Sequence, residues 1–493
     1  MKRWLSGTCG YRKPIEEVQR SLCDAPAELG LKRVLGPFDL ILIGVGVIVG
    51  GGIFVVTGSA AALYAGPAIM FSFLLAGLAC ALTGMCYAEL AAMMPASGSA
   101  YTYAYTAFGE VVAWVIGWNL LLEYTFAASY VAVGWSGYLT SLLAGWGVRL
   151  PGQFAAAPFL IDSRGFAFTG ALVNAPAAAL AMTMAFIAAR GVRLSTFVNS
   201  AIVLLKISAL LLVIAFGIRH IRPVNWVPFL PPNDGTFGHF GVSGVLRGAA
   251  VVFVSYLGFD AIAALAQDTR QPQRDLPIGI LGSLIVATFL YIAASLVLTG
   301  LAPYATLNTA SPISTAILAT GPELKWLVPI VDVAAIIGLG SVVLVIMLAQ
   351  PRILLAMGRD RLIPPAFARV HARYRTPFWG TAVCGLTVAA LAGLFPLSIL
   401  VQLVSIGTLA VFITVSAGVL ILRSTERNRA RPYRTPFVPA IPVIGMLVCS
   451  YLLVGIAAPT WCLYAVWTAA GMAVYILYGR ASAAEQRALR ANA

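Results

Sequence analysis

Apolar runs of bilayer-spanning length follow one another along almost the whole chain, centred near residues 50, 80, 122, 178, 207, 254, 288, 343, 387, 410, 448 and 470. Each approaches the roughly 20 residues that a membrane-crossing helix needs. The pattern predicts an all-α integral membrane protein of about twelve transmembrane helices. Pro95 to Tyr105 reads as an inner loop, Gly145 to Arg164 and Arg219 to His239 as outer loops, and Gly191 to Arg193 as an inner turn. A short outer helix is predicted near Ser314 to Ala319.

Two of the runs are interrupted. The first, Gly44 to Gly58, reads GVGVIVGGGIFVVTG and is broken by Gly50, Gly51 and Gly52. Each glycine costs roughly 1 kcal/mol against alanine in a helix interior, and an unwound turn in hydrocarbon bares backbone groups that only a lined cavity tolerates. Two readings stay open on this stretch alone: a broken helix at a binding site, or a glycine seam for close helix packing. In the first, amides of the following half-helix hold an anion and loose carbonyls of the preceding half hold a cation. A ligand with both charges side by side is an amino acid. The second interruption, VVFVSYLGFDAIAA with Gly258 and Asp260, falls in the sixth run, five spans after the first. Broken spans at corresponding places in two five-helix halves point to an inverted-repeat transporter whose site lies at the midplane, which favours the binding-site reading.

Ionisable residues inside apolar runs add candidate chemistry. Glu123 sits in WNLLLEYTFAASY; a carboxylate at membrane depth is functional by default, its alternative being a structural hydrogen bond to a neighbouring helix. Lys206 lies too deep in the fifth run, about Ser195 to Gly217, to reach either surface easily. It suits binding and release of a proton, or else permanent pairing with a carboxylate. Arg247 and Asp332 stand in the outer halves of the sixth and eighth runs, and since either alone is costly they are expected to pair across an outer vestibule.

Composition agrees with the pattern: of 493 residues 60% are hydrophobic and 10% charged, more apolar sequence than a soluble core needs. The net charge of +14 does not call for nucleic acid. Its clusters, Lys2 to Arg33, Arg352 to Arg375 and Arg423 to Arg434, fall on the inner side if both termini are cytoplasmic, as the positive-inside rule expects. These loops read as topology determinants, with anionic lipid the other candidate partner. The first 36 residues are too polar for a signal peptide, so the first span is expected to act as an uncleaved insertion signal. The expected organisation is a tail over 1–36 with a short amphipathic helix around Ile15 to Leu22, a ten-helix core over 37–422 with repeats at about 37–219 and 241–422, a basic loop over 423–440, two peripheral helices over 441–480, and a tail over 481–493. Seven scattered cysteines show no paired or metal-ligand spacing. The three histidines, His220, His239 and His371, lie away from the breaks, and without a nucleophile–base set neither an enzyme nor a cofactor or metal is expected.

The motifs together resemble the amino acid–polyamine–organocation superfamily of transporters, most of all its bacterial cationic amino acid transporter branch, over about Leu35 to Tyr478. They are Gly44 to Gly58, Tyr256 to Ile280, Ala356 to Pro377 and Tyr87 to Tyr105. The resemblance implies two inverted five-helix bundles plus two further helices, moving an amino acid by alternating access. It implies that amides of Gly51 and Gly52, in the break opened by Gly50, take the carboxylate. Carbonyls near Val47 and Ile48, with those of Val254, Ser255 and Leu257, would take the α-amino group. Glu123 would face the substrate, Leu339 would line the side-chain pocket, and Lys206 would mark proton rather than sodium coupling. Two departures bear on substrate choice. Gly51 stands where relatives usually carry a hydroxyl residue, and Val254, beside Phe253, where they often carry an aromatic gate. The expected function is proton-coupled secondary transport of an amino acid across the bacterial cytoplasmic membrane. Cationic and small neutral substrates both remain open, as do exchange and, from a different class, a non-transporting amino acid sensor.

Overall fold

Backbone in hydrocarbon must satisfy its own hydrogen bonds, and each apolar run is helical, the first on either side of its break at 49–50, in the computed structural model, which describes residues 11–16, 35–94, 99–162, 165–191, 196–264, 269–371, 373–374 and 376–491. Among the described residues, 7 helical stretches are long and apolar enough to cross a membrane. One of them, Pro37–Met93, is divided by Gly66, at φ +60°, and Pro67. The apolar helices Ala175–Ala189, Gly241–Tyr256, Phe378–Leu394 and Ala440–Val454 are shorter. The chain is a multi-pass membrane protein.

The helices that build the centre are α1 (Pro37–Ile48), α2 (52–65), α3 (Ile69–Met93), α4 (Ser99–Ala107), α5 (Glu110–Gly145), α6 (Ala175–Ala189), α7 (Thr196–Gly217), α8 (Gly241–Val252), α9 (Phe259–Ala264), α10 (Pro272–Leu301), α11 (Pro312–Ala319) and α12 (Leu327–Arg359). Then follow α13 (Phe378–Leu394), α14 (Leu397–Thr425), α15 (Ala440–Val454), α16 (Ala458–Val474) and α17 (Arg480–Ala491). Their ends are set by local chemistry. Pro37 opens α1 behind Gly36, whose amide donates to Asp39 Oδ2 at 2.9 Å. Asn174 caps α6 by accepting from the Ala177 amide at 3.2 Å and also from Ser136 Oγ at 2.7 Å, which ties that cap to α5. The long helix α5 lies along α12 and α14, while α10 packs along α1 and α3. The breaks between α1 and α2 and between α8 and α9 meet where these two groups join.

Several expectations change here. Of the expected loop Pro95 to Tyr105, residues 95–98 lie outside the described residues and the rest is helix α4. SAYTYAYTA contains no breaker, and Tyr101 and Tyr103 are buried. The outer loop from Gly145 carries an unforeseen hairpin, β1 (Phe159–Asp162) against β2 (Gly165–Phe168), with the Phe159 and Phe168 rings 5.3 Å apart between centroids. Within the expected tail over 481–493, α17 is helical as far as Ala491. Most of the amphipathic helix expected around Ile15 to Leu22 lies outside the described residues, as do Val192 and Arg193 of the expected inner turn and the cysteines Cys9 and Cys23. The short helix expected near Ser314 is present as α11.

The basic end of the bundle is pinned by a buried carboxylate. Glu89, 1% exposed, accepts from Arg423 Nε at 3.0 Å and Nη2 at 2.8 Å and from the Thr435 amide at 2.8 Å, with the Arg431 guanidinium 3.3 Å away. This fixes the basic loop after α14 against α3. Removing the carboxylate leaves Arg423 with the Thr435 carbonyl and Arg431 with the Leu422 and Glu426 carbonyls but no counter-charge, and breaking such a pair costs up to about 3 kcal/mol. Glu89→Ala is expected to lower the thermal unfolding midpoint in detergent while Glu89→Asp keeps most of it; an unchanged midpoint in Glu89→Ala would show that the network carries no stability.

Candidate functional site

The two breaks interlock because each places a glycine against the other helix. A Cβ at Gly52 would run into the Cα and Cβ of Ser255, and one at Gly258, held at φ +111°, would run into Val47. The left-handed conformation at Gly258 is one that a side chain disfavours, so both packing and backbone geometry demand glycine there. Beside this crossing lies a cavity lined by Gly46, Val47, Ile48 and Gly51 from the first break, Val254, Leu257, Gly258 and Asp260 from the second, Glu123, Tyr124, Tyr130 and Val131 from α5, Asn199 and Lys206 from α7, and Ser341, Val342, Val345 and Ile346 from α12. Its surface is mostly apolar.

Breaking α1 frees carbonyls, and the structure shows where two of them go. The last amide bond of α1 runs from Val49 N to Val45 O at 2.8 Å. The next carbonyl, Gly46 O, would accept from residue 50 in an unbroken helix; instead it accepts from Lys206 Nζ at 2.7 Å, with the lysine 1% exposed. The lysine stem passes across Gly338 of α12, where a Cβ would overlap it. The Tyr291 hydroxyl of α10 lies 2.7 Å from Ile48 O and 2.8 Å from Ser255 O, and its single proton serves one or the other. The breaks are thus held by a lysine and a tyrosine from elements far away in sequence.

Of the residues expected at the site, Val47, Ile48, Gly51, Glu123, Lys206, Val254 and Leu257 line this one cavity. Others stand behind its wall. Gly50 packs toward Val342 and Gly52 against Ser255, while Phe253 turns its ring onto Phe412 at 5.5 Å between centroids. Leu339 is fully buried one helical turn along α12 from Val342, and Ser341 and Val342 form the wall expected of it. The pair expected between Arg247 and Asp332 is not formed. Arg247 lies over the Tyr64 ring, 4.9 Å from its centroid, and Asp332 Oδ1 accepts from Ser314 Oγ at 2.5 Å. A π-face and a hydroxyl thus stand against these two groups in separate places, while Arg247 Nε and Asp332 Oδ2 make no hydrogen bond among the described residues.

Asp260 is the functional candidate that the sequence reading noticed only as an interruption. It is 6% exposed, its Oδ1 accepts from the Gly258 amide at 3.2 Å and its Oδ2 from the Tyr124 hydroxyl at 3.3 Å, and it shares the cavity with Glu123. The signal was present, since an acid in an apolar run needs a reason. Tyr124, Tyr130 and Asn199 carried no such signal, because aromatic and amide residues are ordinary on membrane helices.

The family model described as amino acid permease matches residues 35–479. A methylthioribose transporter of Bacillus subtilis is 43% identical over 469 residues, covering 95% of this chain and 97% of its own. A branched-chain amino acid permease of the same organism is 39% identical over 471 residues, with the same coverage of 95% and 97%. A vacuolar cationic amino acid transporter of Arabidopsis thaliana is 37% identical over 412 residues, covering 84% of this chain and 66% of its own.

Proposed function

Because this chain belongs to the amino acid permease family, a family of transporters and not of enzymes, we propose that it imports an amino acid together with a proton across the cytoplasmic membrane. The observation that carries this reading is the buried Lys206 bonded to Gly46 O at the edge of the cavity. A protonated amine makes a charge-assisted bond to that carbonyl, and losing the proton weakens it. The state of the proton is thereby coupled to the position of α1. Gly51 and Val47 both line the cavity; the amide of the one and the carbonyl of the other would receive the substrate's carboxylate and ammonium, following the polarity of a helix break.

In this reading the chain crosses the membrane twelve times with both termini cytoplasmic. Residues 37–422 hold the two inverted repeats, and the helices after residue 440 lie outside them. The support is that the α1–α2 and α8–α9 breaks lie at matching places and interlock, and that basic residues crowd one end.

A second reading concerns the side chain. Aliphatic walls favour a neutral, apolar amino acid, whereas Glu123 and Asp260 favour a basic one, and the relatives' names divide the same way. We infer that the walls dominate, leucine-like substrates leading, with the two acids placed on the proton's route. The test is uptake of labelled leucine, alanine, arginine, lysine and methylthioribose into sodium-free proteoliposomes, with and without an inward proton gradient. Leucine is expected to lead and to be stimulated by the gradient, and Glu123→Gln to lower gradient-driven uptake at least about tenfold while leaving leucine binding intact. Arginine or lysine leading, with loss of their binding in Glu123→Gln, would assign Glu123 to the substrate instead. A requirement for internal substrate would show exchange, and uptake of no compound would overturn transport.

A further inference from the structure

A second, larger cavity opens where the far ends of α5 and α12 meet α11. Its free volume is about 800 Å³ against about 90 Å³ for the central one. Thr140, Ser141, Ser311, Thr315, Lys325 and Asp332 are among its lining residues. Asp332 is fully buried, its Oδ1 accepts from Ser314, and the Ser141 hydroxyl on the same cavity wall is a further neighbour; Oδ2 makes no well-formed hydrogen bond among the described residues. A buried carboxylate oxygen left without a donor is costly, and such orphans mark places where a ligand completes the set. Lys325, just before α12 begins, lines the same cavity and takes part in none of the ion pairs found among the described residues.

We propose that this cavity is a capture subsite in which Asp332 binds the substrate's ammonium group before the substrate reaches the central cavity. The chemistry selected is a primary ammonium, since three N–H donors on a compact cation can reach Oδ2, while a quaternary group has no N–H to donate and a neutral donor brings no opposite charge. Lys325, set farther out, gives the carboxylate of a zwitterion a counter-charge. That the bound molecule is an amino acid rests on the proposed transport function; the affinity of the subsite for an ammonium group does not.

The experiment uses Ser311→Cys in the full-length protein, a position on the cavity wall whose hydroxyl makes no capping bond to α11. Its modification by methanethiosulfonate reagents carrying an ethylammonium or a neutral methyl group is followed by mass spectrometry of that peptide. The cationic reagent is expected to react several-fold faster relative to the neutral one, and the advantage to disappear in Asp332→Asn, which keeps an oxygen for Ser314. Should Asp332→Asn fail to fold, protection decides: ethylammonium chloride slows modification of Ser311→Cys, whereas tetramethylammonium chloride at equal ionic strength does not. Equal reactivity of both reagents, or equal protection by both salts, overturns the subsite. L-leucine protecting where N-acetyl-L-leucine does not assigns the site to amino acids. Protection by ethylammonium without protection by any transported compound leaves an ammonium site and refutes its place on the transport route. Loss of uptake activity in the unmodified protein would bear on the transport reading alone.

Discussion

Lys206→Met is expected to abolish proton-driven accumulation while leaving substrate binding and insertion in the membrane intact. Methionine matches the lysine stem in length, so packing across Gly338 survives, while the bond to Gly46 O is lost. A hydrogen bond to a charged group contributes about 1.5–3 kcal/mol. Removed from one conformation of the cycle and not the other, it shifts their populations by roughly one to two orders of magnitude. Uptake against a gradient should therefore fall to background, whereas binding measured by thermal stabilisation should persist. The decisive comparison is accumulation in an inward proton gradient against equilibration without one. A mutant that still accumulates substrate in the gradient would remove Lys206 from coupling.

A graded result is expected from the three glycines of the first break. Gly52→Ala should be the most damaging, because its Cβ is driven into the Cα as well as the Cβ of Ser255, and a backbone atom in a broken helix has little room to retreat. Overpacking of this kind costs typically about 1–3 kcal/mol where side chains can adjust, and more where they cannot. Gly51→Ala places its Cβ 2.6 Å from a ring carbon of Tyr130 and 2.8 Å from a methyl of Val131, side chains that can move into the cavity. It should fold and lose substrate affinity. Gly50→Ala meets a Val342 methyl at 3.2 Å, which a small rotation relieves, so it should retain most activity. Size-exclusion profiles and unfolding midpoints report assembly, and uptake reports function. Equal effects at all three positions would mean that loss of local flexibility, and not the crossing with Ser255, explains the glycines.

The site is built from contacts that join distant parts of the chain. Lys206 meets Gly46, Tyr291 meets both breaks, and Asp260 meets Tyr124. Each partner holds a backbone or carboxylate oxygen that a membrane interior would otherwise leave bare. The same logic explains the failed Arg247–Asp332 pairing. Charge complementarity names a class of partner, but a tyrosine face and a serine hydroxyl stand against the two groups instead.

Span-length apolar runs, their two interruptions and the acids and lysine inside them were readable from residue order alone, because hydrocarbon penalises each polar or flexible position strongly and locally. From those the helical architecture, a site between the two breaks, and Glu123 and Lys206 as candidate residues for it could be set out in advance. Which side of each helix faces the cavity was not readable. Along α12 it is Ser341, Val342, Val345 and Ile346, and not Leu339, that reach it, and a uniformly apolar helix carries no amphipathic stripe to reveal this. Nor could the sequence show that the Tyr291 hydroxyl would sit between the carbonyls of Ile48 and Ser255, or that the loop before α5 would be helical. Those outcomes depend on packing between segments far apart in the chain, where many apolar residues are nearly equivalent in composition and only their fit in three dimensions distinguishes them.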